Sequence, residues 1–292
     1  MADAVTSQSG TLIGLIGQGI GGSRSPALHM VEADAQGMRY IYRLIDLDVL
    51  GRTADDLPFL LEAAIAAGFD GLNITHPCKQ RIIPLLDEVD PIAAEIGAVN
   101  TVRIVNGRTK GYNTDQYGFR SGIERELGSI AGQKVVQLGA GGAGAATASA
   151  VLMLEAARLE IADVDSARAE QLAASLASRF GGDRVGAVRD VVAAIGAADG
   201  LVHATPTGMA AHPGLPLDGA LLRPDLWVAE IVYFPLETEL LRRARATGAR
   251  TVHGGYMAVF QAVGAFEIFT DRKADSERMM RHFASFGQDV AA

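Results

Sequence analysis

Lys134–Leu154 reads KVVQLGAGGAGAATASAVLML. KVVQLG is apolar on both faces, as a strand buried between helix layers must be, and the alanine-rich run after the glycines reads as a helix. Between them Gly139, Gly141 and Gly144 form the pattern G-x-G-x-x-G. The first glycine allows a tight turn, the second lets a pyrophosphate approach the backbone, and the third lets strand and helix pack closely. The helix N-terminus then faces the anion. Glycine-rich helix starts also pack well without a ligand, so context matters. Gly139, Ala140, Gly141, Gly142, Ala143 and Gly144 are the candidate phosphate loop.

That context comes about twenty residues on, where the next strand ends as IADVD and an acidic side chain would meet an adenosine ribose. Asp163 holds this place. A carboxylate there accepts hydrogen bonds from the 2′- and 3′-hydroxyls and repels a 2′-phosphate, and Asp165 adds a second negative charge. NAD is therefore favoured over NADP as the cofactor. Asp165 reads equally well as the cap of the helix SARAEQLAASLASRF, and Arg168 inside that helix keeps a phosphate contact open.

Working outward, RLEIAD, DRVGAV, GLVHAT and LWVAEIVY alternate with helices to about His253, which predicts a doubly wound parallel sheet over residues 117–253. Upstream, TLIGLIGQGI is a strand, with Ser25 as a helix cap and Pro26 at the first helical position. DLPFLLEAAIAAG is a helix ended by Gly68, FDGLNIT is a strand, and Pro77 opens a further helix to about Leu86. AVNTVRIV and RTKGYN flank Asn106-Gly107, a tight-hairpin dipeptide, so this sheet is mixed. YMAVFQAVGAFEIFTD and SERMMRHFASF are two helices without an intervening strand, expected to fold back on the first lobe. The expected architecture is α/β with two domains. Residues 1–116 plus 254–292 form a mixed substrate-binding and catalytic domain completed by the C-terminal helices, beside a Rossmann domain and a cleft between them. Met1 to Gly10 reads as a loose polar tail.

The chain has 292 residues, 49% hydrophobic and 21% charged, with net charge −8. This balance suits a globular protein and excludes a disordered polar chain, and the absence of basic runs disfavours nucleic acid and anionic membrane surfaces. One cysteine, Cys78, admits no internal disulfide, and no signal segment opens the chain, so a cytoplasmic location is expected. The six histidines show no close ligand spacing, and no metal is expected. No motif speaks to oligomeric state.

Several polar residues stand where strands end. Ser23 and Ser25 flank Arg24 at a helix start, where hydroxyls, N–H groups and the helix dipole suit a carboxylate. Asn73 and Thr75 share one strand face and Asn100 ends another candidate strand, a set suited to a polyhydroxylated ligand, although each reads individually as a turn or cap residue. Lys79 falls in what reads as a first helical turn, a mildly unfavourable place for a cation without a task, and Asp115 stands at the start of the helix after NTD. Gln261 shares a helix face with Met257, Gly264 and Ile268, where its amide needs a partner.

Taken together the chain resembles the shikimate/quinate dehydrogenase family from about Leu12 to Phe286. The motifs are S-x-S-P-x-x-H (Ser23–His29), N-x-T-x-P-x-K (Asn73–Lys79), GAVNT (Gly97–Thr101), NTD-x-x-G (Asn113–Gly118), GAGGAG (Gly139–Gly144), ATPTGM (Ala204–Met209) and M-x-x-x-Q (Met257–Gln261). The resemblance implies that Lys79 and Asp115 are a catalytic dyad, that Ser23 and Ser25 hold the substrate carboxylate, and that Asn73, Thr75, Asn100 and Gln261 contact ring hydroxyls. Tyr233 and Gly255 resemble positions lining the nicotinamide and ring site, and Thr205, Pro206 and Met209 look like part of the loop beside the cofactor. Where NADP-dependent members carry asparagine, arginine and threonine, Ala162–Asp165 reads ADVD, and His76 and Cys78 resemble the NAD-preferring branch.

The expected activity is NAD(P)-dependent interconversion of shikimate with 3-dehydroshikimate and of quinate with 3-dehydroquinate. A strict NADP-dependent shikimate dehydrogenase or an aminoshikimate relative is the near alternative. A noncatalytic NAD sensor and a folate-linked dehydrogenase are the distant ones.

Overall fold

The computed structural model describes residues 10–286; the expected Met1–Gly10 tail lies outside them except for its last residue. Contacts divide the chain into two compact units: one holds the residues up to Ala94, Ala98–Asn113 and those from Ala262 on, the other Glu95–Gly97 and Thr114–Gln261.

The first unit opens with β1 (Thr11–Gly17), α1 (Ser25–Ala35), β2 (Tyr40–Asp46), α2 (Leu47–Leu50), α3 (Leu57–Ala66) and β3 (Gly71–Ile74). After these come β4 (Glu88–Val89), α4 (Pro91–Ile96), β5 (Thr101–Val105) and β6 (Arg108–Tyr112). The sheet runs β2-β1-β3-β5-β6-β4 and is mixed: β1 is parallel to β2 and β3, while β5 is antiparallel to both β3 and β6. Asn106 and Gly107 both take positive φ, so the expected hairpin forms. Leu57, Leu60, Leu61 and Ala64 of α3 pack on Ile16, Leu72, Ile74 and Val102. Ala33 of α1 packs with Ile13, Leu15, Tyr40 and Tyr42 on the other face.

Three local readings need correction. No α-helix runs from Pro77 to Leu86; residues 76–82 are consecutive turns and a single 3-10 turn covers Ile83–Leu85. Pro84 has no N–H to donate and its ring obstructs the preceding turn, so a regular helix cannot pass through it. Ser25 does not cap α1. Arg24 already has helical φ and ψ (−87°, −9°), which leaves Ser25 inside the helix, its N–H donating to Ser23 Oγ at 3.3 Å. The strand β2 was not read from the sequence. It is an edge strand of seven residues whose buried Tyr40 and Tyr42 alternate with exposed Ile41 and Arg43 before the pattern fades at Leu44 and Ile45.

The second unit contains α5 (Thr114–Leu127), β7 (Lys134–Leu138), α6 (Gly142–Met153), β8 (Arg158–Ala162), α7 (Ser166–Phe180) and β9 (Val185–Ala187). The chain continues through α8 (Val191–Gly196), β10 (Gly200–His203), β11 (Trp227–Glu230), α9 (Glu239–Thr247) and β12 (Thr251–Val252). Every paired strand is parallel, in the order β12-β11-β10-β7-β8-β9. This is the doubly wound arrangement, with the order reversing between β7 and β10. Side chains of α5, α6 and α7 cover one face and those of α8 and α9 the other.

Two helices end the described chain, α10 (Gly254–Thr270) and α11 (Ser276–Ser285). Ala265, Phe266 and Phe269 of α10 complete the core on β1 and β2 of the first unit, as the fold-back reading requires. The α11 helix is tied to α1 through Glu32, whose buried carboxylate accepts from Arg278 Nε (2.7 Å), the Asp275 N–H (3.0 Å) and Gln36 Nε2 (2.7 Å). Burial alone raises this carboxyl's pKa, yet the donors outweigh it and hold the group below its ordinary value. The pair's stabilisation is therefore complete above the unfolded carboxylate pKa and disappears as pH falls through the lower folded value. Glu32→Gln should cost about 2–3 kcal/mol at pH 7 by denaturant unfolding, with the difference shrinking in the acid range. An equal loss at both pH values would contradict a charge-based anchor. No helix among the described residues is long and apolar enough to cross a membrane.

Candidate active site

In the second unit the glycine loop joins β7 to α6 at the sheet's switch point. Gly139 has φ +105°, and a Cβ there would lie 2.5 Å from Ala204 O; a Cβ on Gly144 would lie 2.4 Å from Gly139 O. Both positions exclude any side chain. A Cβ on Gly141 or Gly142 would meet nothing within 4 Å, so these two leave open space at the helix start. Buried Gln137, which the sequence reading passed over, donates to both Gly139 O and Gly144 O at 2.8 Å and accepts from Thr147 Oγ1 at 2.8 Å. With those carbonyls drawn inward and no side chain capping α6, the helix-start N–H groups suit an anion. The loop thus fits a dinucleotide pyrophosphate.

Asp163 follows β8. Its Oδ2 accepts the Ala140 N–H at 2.7 Å and its Oδ1 the Asp165 N–H at 2.9 Å. Each carboxylate oxygen keeps further acceptor capacity, which suits ribose hydroxyls. For Asp165 the capping alternative is realised: its Oδ1 accepts from Ala167 N at 3.1 Å, and its Oδ2 stands 3.3 Å from Arg168 Nε. Val164 between them is fully exposed.

Thr205, Pro206 and Met209 lie on the loop after β10, which closes on itself through Gly208 N–H to His212 O (2.7 Å) and His212 N–H to Met209 O (2.9 Å). Tyr233, 46% exposed, follows β11. Gly254, next to Gly255, presses against that same segment, because a Cβ there would lie 2.3 Å from Val232 O.

Asp115 is buried in the first turn of α5. One turn on, Gly118 brings α5 against α10: a Cβ there would lie 2.6 Å from Met257 O and 2.7 Å from Gln261 N. The motif NTD-x-x-G therefore ends in glycine for a packing reason, and this contact brings Gln261 beside the helix face that carries Asp115. Gln261 Nε2 donates to Ala258 O at 3.0 Å, so a backbone carbonyl does satisfy part of its amide.

In the first unit, antiparallel pairing of β3 with β5 sets Asn73 opposite Thr101 and brings Asn100 beside it. Asn73 Nδ2 donates to Asn100 O and Thr101 Oγ1, both at 3.1 Å, and the Thr101 hydroxyl donates to Asn100 Oδ1 at 3.0 Å. The Tyr42 hydroxyl donates to Asn73 Oδ1 at 2.8 Å and also hydrogen-bonds the Ser25 side chain. Ser25, Tyr42, Asn73 and Asn100 thus form one connected group. Tyr42 was missed because β2 was missed.

Thr75 continues β3 by donating its N–H to Ile16 O at 2.9 Å. Lys79 lies in the turns that follow, and Val99 N–H donates to its carbonyl at 2.9 Å, which ties N-x-T-x-P-x-K to GAVNT. Cys78 is fully buried, with its thiol pKa raised by burial, as a core filler would be. His29 of the serine motif is also fully buried, paired through Nδ1 with Tyr40 OH at 2.9 Å, and burial lowers its pKa to about 3. It is a neutral core residue. His253 stacks on Tyr256 at 4.3 Å.

Fold and glycine loop define the class: a dinucleotide-binding α/β protein with a second, mixed-sheet unit carrying a polar constellation. Residues 15–102 match the family model described as the shikimate dehydrogenase substrate binding domain. The chain is 54% identical to a shikimate dehydrogenase (NADP(+)) of Streptomyces avermitilis over 97% of its length and 98% of that protein's. It is 49% identical to a quinate/shikimate dehydrogenase (NAD(+)) of Corynebacterium efficiens, covering 94% and 98%. Quinate dehydrogenase from Corynebacterium glutamicum in complex with NAD superposes with a TM-score of 0.89 at 48% identity, covering 94% and 99%. The chain belongs to the shikimate/quinate dehydrogenase family, oxidoreductases that act on CH–OH groups with NAD or NADP.

Proposed function

We propose that the protein oxidises a ring hydroxyl of shikimate reversibly with NAD, giving 3-dehydroshikimate, and acts likewise on quinate to give 3-dehydroquinate. The observation that carries the NAD reading is Asp163, a carboxylate fixed after β8 by the Ala140 and Asp165 N–H groups. A 2′-phosphate brought there meets like charge, whereas ribose hydroxyls meet an acceptor. Relatives of similar identity are named for either cofactor, so the choice rests on this chain's own residues.

Ser23 and Ser25 hold the substrate carboxylate, while Asn73, Thr75, Asn100 and Gln261 take the ring hydroxyls. Tyr233 and Gly255 line the ring and nicotinamide end. Residues Gly139–Gly144 and Asp163 hold NAD, which when bound supplies the hydride acceptor. Lys79 and Asp115 act as the dyad that takes the proton of the reacting hydroxyl and returns it in the reverse direction. The substrate is thus a hydroxylated cyclic carboxylate.

Initial rates with shikimate or quinate, each with NAD or NADP, test this directly. Activity with NAD on both substrates is the expected result. A rate with shikimate and NADP alone would overturn the cofactor and quinate assignments in favour of a strict shikimate dehydrogenase. No rate in any combination, together with measurable NADH binding, would point to a sensor.

A further inference from the structure

Two buried polar side chains of the second unit sit in a sheet that should be apolar, and neither the glycine loop nor the dyad uses them. His203 ends β10 and faces Glu230 of β11 directly across the parallel register. Both side chains are fully buried. His203 Nδ1 lies 2.8 Å from Glu230 Oε1, and the other carboxylate oxygen accepts the hydroxyl of Thr238, the N-cap of α9. The second ring nitrogen of His203, Nε2, hydrogen-bonds Thr205 Oγ1, which also accepts the Thr207 N–H at 3.3 Å.

For an imidazole facing a carboxylate, hydrogen-bond direction follows from the donor inventory. A buried carboxylate only accepts, so His203 donates to it from Nδ1–H. In the neutral ring Nε2 is then an acceptor, and the Thr205 hydroxyl must donate to it. Thr205 has one proton, which is turned inward, and two lone pairs, one of which takes Thr207 N–H. Its remaining lone pair can only accept.

Position says what it would accept from. Thr205 directly follows β10 at the switch point, and its Cγ2 would stand 3.0 Å from a Cβ on Gly139, the first glycine of the phosphate loop. In such sheets the ligand lies outside the carboxyl ends of the strands at this reversal. The adenosine side is marked by Asp163 after β8, on the opposite side of β7. Thr205 therefore belongs to the nicotinamide side.

We propose that Glu230 and His203 are positioning residues that fix the Thr205 hydroxyl as an acceptor for the carboxamide N–H of the nicotinamide. This rests on the dinucleotide reading of the second unit. Without the carboxylate nothing holds the imidazole proton on Nδ1; a proton on Nε2 would reverse the bond and turn the Thr205 proton outward, where it no longer matches an amide donor.

The test is a binding measurement with two probes, NADH and ADP-ribose, which lacks the nicotinamide, on wild type, Thr205→Val, Glu230→Leu and Glu230→Gln. Thr205→Val and Glu230→Leu should weaken NADH about tenfold, the worth of one hydrogen bond, and leave ADP-ribose unchanged. Glu230→Gln keeps a carbonyl acceptor for Nδ1–H and should retain NADH affinity within about threefold. Equal weakening of both probes would show a purely structural role and overturn the proposal, as would NADH binding to Thr205→Val at wild-type strength. Thr205→Val decides even if Glu230→Leu does not fold, since Thr205 is only half-buried. Failure of wild type to bind either probe would instead defeat the dinucleotide reading itself.

Discussion

Lys79→Ala protein is expected to turn shikimate over about a thousandfold more slowly than wild type, with KM for shikimate within about threefold. The reacting hydroxyl must lose a proton as its carbon loses hydride, and alanine can neither take that proton nor stabilise the developing charge. On the proposed assignment Ser23, Ser25, Asn73 and Asn100 remain to bind the substrate, so ground-state affinity should survive. Lys79→Arg should not restore the rate, because a guanidinium does not release its proton in this range. The backbone anchor from Val99 N–H to Lys79 O does not depend on the side chain, so the substitution should leave the turn intact. Steady-state rates with saturating NAD, accompanied by thermal unfolding, make the comparison. A kcat within threefold of wild type would remove Lys79 from the chemistry.

The second large effect is on cofactor choice. Asp163→Asn removes the charge and keeps one acceptor oxygen, enough for the Ala140 N–H that ties the glycine loop, at the cost of the bond from the Asp165 N–H. Two unit charges about 4 Å apart at an effective dielectric near 20 interact by roughly 4 kcal/mol, and solvent at this half-exposed position reduces that. The ratio of kcat/KM for NAD to that for NADP should therefore fall by about a hundredfold, chiefly through a better rate with NADP. Asp165→Asn should change it much less, because that carboxylate already caps α7 and pairs with Arg168. If both variants kept the wild-type ratio, discrimination would lie elsewhere in the chain.

The glycine loop was legible in the sequence as a strand, a tight turn and a helix. The motif around Lys79 could be located but not its conformation: the first-turn placement failed because Pro84 breaks the helix that the apolar residues around it suggested. The serine pair could be located too, but its capping role was misassigned, since Arg24 had already taken helical dihedrals. Asp165 shows the opposite case, in which the sequence admitted two roles and the structure displays capping.

What the sequence by itself determined is what depends on neighbours along the chain. Gly139-x-Gly141-x-x-Gly144 between an apolar run and an alanine-rich helix implied a strand, tight turn and helix, and Asn106-Gly107 implied a hairpin, because φ and ψ are chosen locally. The alternation of apolar runs with helices implied a parallel sheet, because each crossover helix returns the chain to the end of the sheet from which the last strand started. Only the tertiary structure decided that Tyr42 joins Ser25 to Asn73, that Gly118 admits Gln261 beside α5, and that His203 meets Glu230. Each of these pairs residues at least 17 positions apart in sequence. Their contact follows from strand order, register and the spacing of packed helices, so no local pattern encodes it.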